Sequence, residues 1–335
     1  MTRILQRIGA AELVCLAVLL ASFTIPWLST SPALLSVSTQ VMIGIMGAFS
    51  VYIMMRMDLM CFAVPAFMAV GGYCAAILGL RFAVVDVFAV AALCFLIPAL
   101  VALPLGWLVL RLRGVYFVLV TFVVAEIVPL LLFETPSLTG GSNGLAGLPA
   151  PTLMGHALED NQSVLALAIG LAVLAAVITI GVTRRFRQHF AAIEEDPVLA
   201  QSLGLVVWRY KVIGFCVAAG VAGLGGFALV NMLLTAHPSS FSAISSVNYI
   251  AYTIVGGKAS ILGSLIGSSL LVWASNVFSF QGEYSQGLFG VLLILVVLVA
   301  KGGIVGLVCQ LGSRLSGSQR HARLGGADAR REVSP

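Results

Sequence analysis

Long apolar runs separated by short polar segments make up most of the chain between residues 10 and 307. A run of about 20 apolar residues is long enough for a helix to cross the hydrocarbon core of a bilayer. We predict ten such spans, at 10–28, 36–55, 59–80, 86–110, 114–133, 163–183, 210–233, 241–257, 260–280 and 287–307. The pattern indicates an all-α, polytopic integral membrane protein with about ten transmembrane helices, some of them broken or short.

Composition and charge agree with this interpretation and add an orientation. Only 9% of the 335 residues are charged, against about 25% in a typical soluble domain. If the amino terminus is cytoplasmic, Arg81 is the only one of the 18 Lys and Arg residues that lies on the outer side. Because basic residues concentrate in cytoplasmic loops, we expect both termini to be cytoplasmic.

The residues indicate no metal, cofactor or nucleic-acid site. The six cysteines and four histidines have no ligand spacing, and the net charge of +5 is explained by basic cytoplasmic loops. The phosphate-binding motif G-x-x-x-x-G-K-[ST] is not present, because the only Gly-Lys pair, Gly257–Lys258, has Tyr252 and Ala259 at the first and last motif positions. We therefore expect a chain that is not an enzyme and that binds no ATP itself.

We divide the chain into one transmembrane domain, 1–307, and a basic tail, 308–335. The tail has no apolar periodicity, which predicts disorder and at most weak contact with anionic membrane lipid. Within the domain, the loop at 134–162 is expected outside and the loop at 184–211 inside.

The inner loop at 184–211 contains the signals of a short helix. Asp196 can accept hydrogen bonds from free backbone N–H groups, Pro197 suits the first helical position, and Gly204 suits the left-handed residue after a helix. These signals predict a helix from Pro197 to Leu203 with one apolar side. Such a short helix is marginal alone, so it either rests on the protein or on lipid headgroups, or docks a soluble partner.

The candidate docking segment has acidic residues at the positive end of the helix dipole and apolar residues along the helix. It comprises Glu194, Glu195, Asp196, Pro197, Leu199, Ala200, Leu203 and Gly204.

Glu126 is the most informative single residue of the apolar spans. A carboxylate near mid-helix costs about 2.5–3.5 kcal/mol on insertion scales, so it should face protein or water rather than lipid. A structural hydrogen bond to another helix and a place on a solute path are both open. Asp58, beside Arg56 at the inner edge, is better explained by an interfacial ion pair between the two.

Glycine is concentrated in two further segments. Four glycines and Asn143 in the outer sequence Thr139–Pro149 allow a tight loop over a cavity mouth, although a plain flexible loop would look similar. In the segment VGGKASILGSLIG, small residues recur every four positions, which favours close helix packing. The packing candidates are Gly256, Gly257, Gly263 and Gly267. Lys258 in the same segment is either an orientation anchor or a contact to a partner.

Four motifs in the same order resemble permease subunits of branched-chain amino-acid ABC importers, of the LivM/LivH type. The chain has CFAVPAFMAVGGYCAAIL, a pattern R-L-x-G-x-Y-x-x-x-x-T-x-x-x-x-E that ends at Glu126, TGGSNGL, and VGGKASILGSLIG. It departs from the family at Cys61, Ala63 and Val64, where Ser, Gly and His are common. The spacing Ala200-x-x-x-Gly204 looks like the coupling loop that contacts the ATPase in such importers.

The resemblance implies a bacterial inner-membrane importer with a second permease subunit, ATPase subunits that bind ATP, and a periplasmic solute-binding protein. It also suggests a substrate path that includes Tyr116, Thr121, Glu126, Gly140, Gly141 and Asn143. The function predicted is import of a small polar solute, with branched-chain amino acids first. The alternatives are a permease for urea, other amino acids or sugar, and, from another class, an ion-coupled secondary transporter.

Overall fold

The computed structural model describes residues 2–28, 31–153, 156–158, 160–279 and seven further positions between 287 and 306. The helices of the first half are α1 (Thr2–Ala21), α2 (Ile25–Leu28), α3 (Pro32–Met55), α4 (Val64–Phe82), α5 (Val87–Val109), α6 (Val115–Glu134) and α7 (Pro136–Thr139). Those of the second half are α8 (Asn161–Arg185), α9 (Arg187–Glu195), α10 (Pro197–Ser202), α11 (Val207–Leu233), α12 (Ile244–Gly256) and α13 (Ile261–Ser279).

Seven of these helices are long and apolar enough to cross a membrane, namely α3, α4, α5, α6, α8, α11 and α13. This confirms an all-α, polytopic membrane protein. The described strands are two antiparallel pairs of two residues each, in which β1 (Leu145–Ala146) pairs with β4 (Thr235–Ala236), and β2 (Thr152–Leu153) pairs with β3 (His156–Ala157).

Three predicted spans need correction or lie outside the description. The span at 10–28 is interrupted by a 3₁₀ turn, Ser22–Thr24, between α1 and α2. The span at 59–80 begins as extended chain, because α4 starts only at Val64, with Pro65 in its first turn. The span at 287–307 falls mostly on residues outside those described.

The predicted span at 241–257 is also broken, since α12 has only 13 residues. A helix of that length covers about 20 Å, which is less than the hydrocarbon core. The segment nevertheless joins the two ends of the bundle. Thr235 and Ala236 pair with the outer strand β1, whereas Lys258 lies 3.8 Å from Glu194 in the inner loop. A 3₁₀ turn, Pro238–Phe241, and α12 therefore make the crossing together.

Helix α11 is the centre of the bundle and packs against α3, α4, α5 and α8. Its contact with α4 depends on small residues, because a Cβ atom on Gly71 would overlap the backbone of Gly223. Small residues let two helix backbones approach closely in a membrane, where lipid is as apolar as the side chains. At the opposite extreme, α6 is the least buried of the seven spans.

The glycines of the second rich segment lie where α12 meets α13. A Cβ atom on Gly256 would overlap the carbonyl of Gly263, and one on Gly267 would overlap the carbonyl of Tyr252. Gly257 has φ +111° and ends α12. The two helices are thus held together as a tight pair that also packs on α3.

Candidate functional site

The inner loop folds as two short helices, α9 and α10, and the local sequence explains the second. Asp196 Oδ1 accepts hydrogen bonds from the N–H groups of Val198 at 2.7 Å and Leu199 at 3.2 Å. Pro197 occupies the first turn. Gly204 has φ +85°, a conformation that L side chains rarely adopt, and its N–H donates to Gln201 O at 2.9 Å. The helix ends at Ser202, one residue before the predicted end.

Helix α10 turns its larger apolar side chains away from the protein. Ala200 is 3% exposed and anchors the helix, whereas Val198 is 59%, Leu199 57% and Leu203 80% exposed. Val198 and Leu199 on α10, with Leu203 directly after it, form an apolar surface that nothing in the described part of the chain covers. Such a patch is typical of a site for another molecule.

Glu194, at the end of α9, connects the inner loop to two turns of the bundle. Its Oε2 atom accepts a hydrogen bond from Arg56 Nη1 at 2.7 Å, and its Oε1 atom lies 3.8 Å from Lys258 Nζ. The predicted ion pair between Arg56 and Asp58 is therefore wrong, because Arg56 turns to the inner loop. Glu195, the next residue, is exposed and makes no ion pair within the described ranges.

We expect Glu194→Ala to loosen the inner loop and lower the thermal stability of the permease in detergent. The pair with Arg56 is about three-quarters buried, and its loss leaves two cations close together without an anion, at a cost of about 1–3 kcal/mol. Glu195→Ala is the matched control and should melt like the wild type. The exchange of Arg56→Glu with Glu194→Arg should recover part of the loss. Equal melting points for the two Ala variants would contradict the role of Glu194.

The three substrate-path candidates on α6, Tyr116, Thr121 and Glu126, do not lie on one face of the helix. Glu126 is exposed on this chain near the middle of α6, and Tyr116 is 72% exposed. Thr121, in contrast, is buried and faces the bundle. No hydrogen bond or ion pair of Glu126 occurs within the described residues, so a structural bond to another described helix of this chain does not explain it.

Thr121 instead holds the extended segment before α4. Its Oγ1 atom accepts a hydrogen bond from Phe62 N–H at 3.2 Å, and Ser246 Oγ donates to Phe62 O. The backbone N–H and C=O groups of one residue, Phe62, are thus bound by hydroxyls from α6 and from α12. Pro65 indicates a break in the helix here, but no local signal in the sequence indicates that Phe62 and Ser246 bind each other.

The glycine-rich outer loop is tied down rather than loose. Thr139 Oγ1 donates to Leu132 O at 2.6 Å, and His237 Nε2 lies 2.9 Å from Ser142 O. Gly140 and Gly141 have positive φ, and Asn143 is exposed. These residues lie at the end of the bundle opposite the loop at 184–211, and His237 is a partner that sequence reasoning missed.

No group of three His, Cys, Asp or Glu side chains that could hold a metal ion occurs in the described ranges. The features suited to binding a solute or a partner are therefore the apolar surface of α10, the exposed carboxylate of Glu126 on α6, and the hydrogen-bonded loop at Thr139–Pro149.

Comparison with known proteins gives the family. The profile described as "Branched-chain amino acid transport system / permease component" matches residues 33–297. The chain is 30% identical over 234 residues to the high-affinity branched-chain amino acid transport system permease protein LivM of Escherichia coli K12, covering 63% of this chain and 55% of that protein. LivM of Salmonella typhimurium is 30% identical over 237 residues, with the same coverage.

A sugar permease is a more distant relative. The ribose import permease protein RbsC of Haemophilus influenzae is 26% identical over 120 residues, covering 34% of this chain and 37% of that protein. No solved structure gives a significant match. The chain spans about half the length of the LivM proteins. The family profile, however, extends over most of the chain, so this protein belongs to the permease components of branched-chain amino acid transport systems.

Proposed function

We propose that this chain is the permease subunit of an ABC importer for branched-chain amino acids, driven by separate ATPase subunits that bind the ATP. The apolar surface of α10 is the observation that carries the proposal. The helix is capped by Asp196 and anchored through Ala200, yet Val198, Leu199 and Leu203 face outward. A rigid inner helix with an exposed apolar side is suited to a soluble subunit that must move the permease.

Charge favours a protein rather than lipid as the occupant of this surface. Glu195 and Asp196 are exposed immediately before the apolar side chains. The inner leaflet carries anionic lipids, which attract basic segments and repel acidic ones. Replacing Leu199 by Asp tests the proposal directly, because an ATPase that docks on α10 should then be lost.

The exposed position of Glu126 supports the presence of a second permease subunit, which is either identical to this chain or different from it. Exposure to lipid would cost its carboxylate about 2.5–3.5 kcal/mol near the middle of a span. A second subunit against α6, with a hydrated solute path between the two, removes that cost. Residues 115, 119, 122 and 126 recur at helical spacing and are all exposed. This face of α6, which we call the α6 stripe, is accordingly the proposed border of the path.

We expect Glu126→Leu to insert and assemble but to transport poorly. Leucine is more favourable than glutamate in a membrane, so the loss should appear in uptake, by roughly tenfold if a contact of about 1.4 kcal/mol to the moving solute is removed. Uptake of labelled leucine by proteoliposomes measures the effect, and Glu126→Gln separates charge from hydrogen bonding. Glu134→Gln, an exposed acid at the outer end of the same helix, is the control. Normal uptake by Glu126→Leu would remove Glu126 from the path.

The amino-acid solute is favoured over sugar by the extent of the relationships. The LivM proteins match 63% of this chain, whereas RbsC matches 34%. The sugar relative keeps a sugar importer as the second candidate, and competition of labelled leucine uptake by unlabelled leucine or ribose distinguishes the two. An ion-coupled secondary transporter would show uptake without the ATPase.

We also propose a periplasmic partner and a membrane orientation for this protein. A periplasmic solute-binding protein would deliver the solute at the outer end, where the loop at 134–162 is held by Thr139 and His237. The ion pairs of Glu194 with Arg56 and Lys258, and that of Arg184 with Glu12, lie together at the other end. Following the positive-inside rule, that end is the cytoplasmic side of a bacterial inner membrane, and both termini are cytoplasmic.

A further inference from the structure

A cavity of about 540 Å³ lies at the inner end of the bundle, beside α10, and Val198 of that helix lines it. Its walls are the turn at Asp58 to Met60, the segment Leu112 to Val115 that leads into α6, Phe117 and Val118 of α6, Lys211 of α11, and Pro197 with Val198 of α10. A volume of this size lies within the usual range for small-molecule sites. The described part of the chain thus lines a small-molecule space at the mouth through which an imported solute would leave.

Charges of both signs line this cavity without forming a direct ion pair. Asp58 supplies a carboxylate, and Arg113 and Lys211 supply cations. None of the three makes an ion pair within 4.0 Å in the described residues, where the three ion pairs use Glu12, Glu194 and their partners. An anion and two cations that share one cavity but do not touch leave room for a ligand that carries both charges.

The cavity also lies in line with the proposed path. Val115, at the inner end of the α6 stripe, lines the cavity, and Glu126 lies three turns further along the same stripe. A solute that moves inward along α6 would leave Glu126 and reach Asp58 next. Both positions offer a carboxylate, which suits a solute with an ammonium group.

We propose that this inner cavity is an exit site for a zwitterionic amino acid. Asp58 holds the ammonium group, Lys211 and Arg113 hold the carboxylate, and the apolar lining of Leu59, Phe117 and Val118 receives the aliphatic side chain. The inference rests on the proposed function, since it takes the solute to be an amino acid. Pro197 and Val198 form one wall, so an ATPase that docks on α10 would act directly on the site.

Asp58→Asn and Lys211→Met test the site in the full-length permease. Asp58 has φ +56°, which Asn accepts readily, so Asp58→Asn removes the charge and keeps the backbone. The permease is placed in phosphatidylglycerol nanodiscs, which contain no zwitterionic headgroup, and L-leucine binding is measured by saturation-transfer NMR. Each variant should weaken binding by roughly tenfold, as expected when one charged hydrogen bond is removed. 4-Methylpentanoate and 3-methylbutylamine, which each carry one of the two charges, should bind more weakly than leucine.

The controls are exposed charges that do not line the cavity. Glu134→Gln matches Asp58→Asn, and Arg209→Gln matches Lys211→Met, and both should bind leucine like the wild type. Unchanged leucine binding in both cavity variants, or no leucine signal in the wild type, would overturn the proposal. So would phosphatidylethanolamine that remains bound to the purified permease and blocks leucine, because the cavity would then be a headgroup site.

ATP-driven leucine uptake by the complete transporter separates this inference from the proposed function. If uptake is normal in Asp58→Asn and Lys211→Met, the exit site is wrong and the proposed function stands. If the wild-type transporter takes up no branched-chain amino acid, the proposed function fails first.

Discussion

A permease with Asp in place of Leu199 should reach the membrane in normal amounts and lose its ATPase. Leu199 is 57% exposed on α10, so the permease alone loses little buried surface. In the complex, its burial would contribute about 1.5–3 kcal/mol, and a buried unpaired carboxylate would cost more. We expect at least a tenfold loss of ATPase co-purification, since about 1.4 kcal/mol corresponds to tenfold. Solute-stimulated ATP hydrolysis should fall with it.

Gln201→Asp is the matched control for this variant. It places the same charge on the same helix at an exposed position about 160° away from Leu199, and it should retain the ATPase. If α10 only rested on lipid headgroups, Leu199→Asp would reduce insertion or abundance and would not act selectively on coupling. Full retention of the ATPase and normal uptake by Leu199→Asp, at wild-type abundance, would place the ATPase elsewhere.

A single methyl group at Gly71 should destabilise the whole bundle. A Cβ atom there would overlap the Cα and carbonyl atoms of Gly223 in α11. A backbone cannot rotate away as a side chain can, so α4 and α11 would have to separate at the centre of the protein. Overpacking of this kind typically costs about 1–3 kcal/mol. We expect Gly71→Ala to lower the melting temperature in detergent clearly and to reduce the amount of folded permease.

Gly181→Ala isolates the effect of close approach from that of helix propensity. Gly181 is also in the interior of a spanning helix, α8, but no atom lies within 4 Å of its would-be Cβ. Alanine is favoured over glycine in helices by up to about 1 kcal/mol, so this variant should be as stable as the wild type or slightly more stable. Equal melting temperatures for Gly71→Ala and Gly181→Ala would show that α4 and α11 do not pack as described.

Hydropathy predicted most of the fold because it measures the one property that every spanning helix shares. Seven of the predicted spans are helices that can cross a bilayer. Hydropathy does not distinguish a continuous spanning helix from a broken one, because both are apolar. This is why 241–257 was predicted as a full helix, although α12 has 13 residues and shares the crossing with a 3₁₀ turn.

The inner helix was predictable to within one residue for a different reason. Asp196, Pro197 and Gly204 act on backbone groups no more than a few positions away. Such local signals are complete in the sequence itself, so the cap, the first turn and the end of α10 can all be derived without the fold.

What the sequence determined by itself was thus the membrane class, the helical spans, and the local start and end of α10, because these depend on composition and on neighbours in the chain. The tertiary structure decided which side chains contact each other across the bundle. Glu194 pairs with Arg56 across 138 residues, and Ser246 binds Phe62 across 184 residues. It also left Glu126 on an uncovered side of α6 and gathered Asp58, Arg113 and Lys211 around one cavity. Such arrangements arise from the packing of distant helices, and no local pattern contains them.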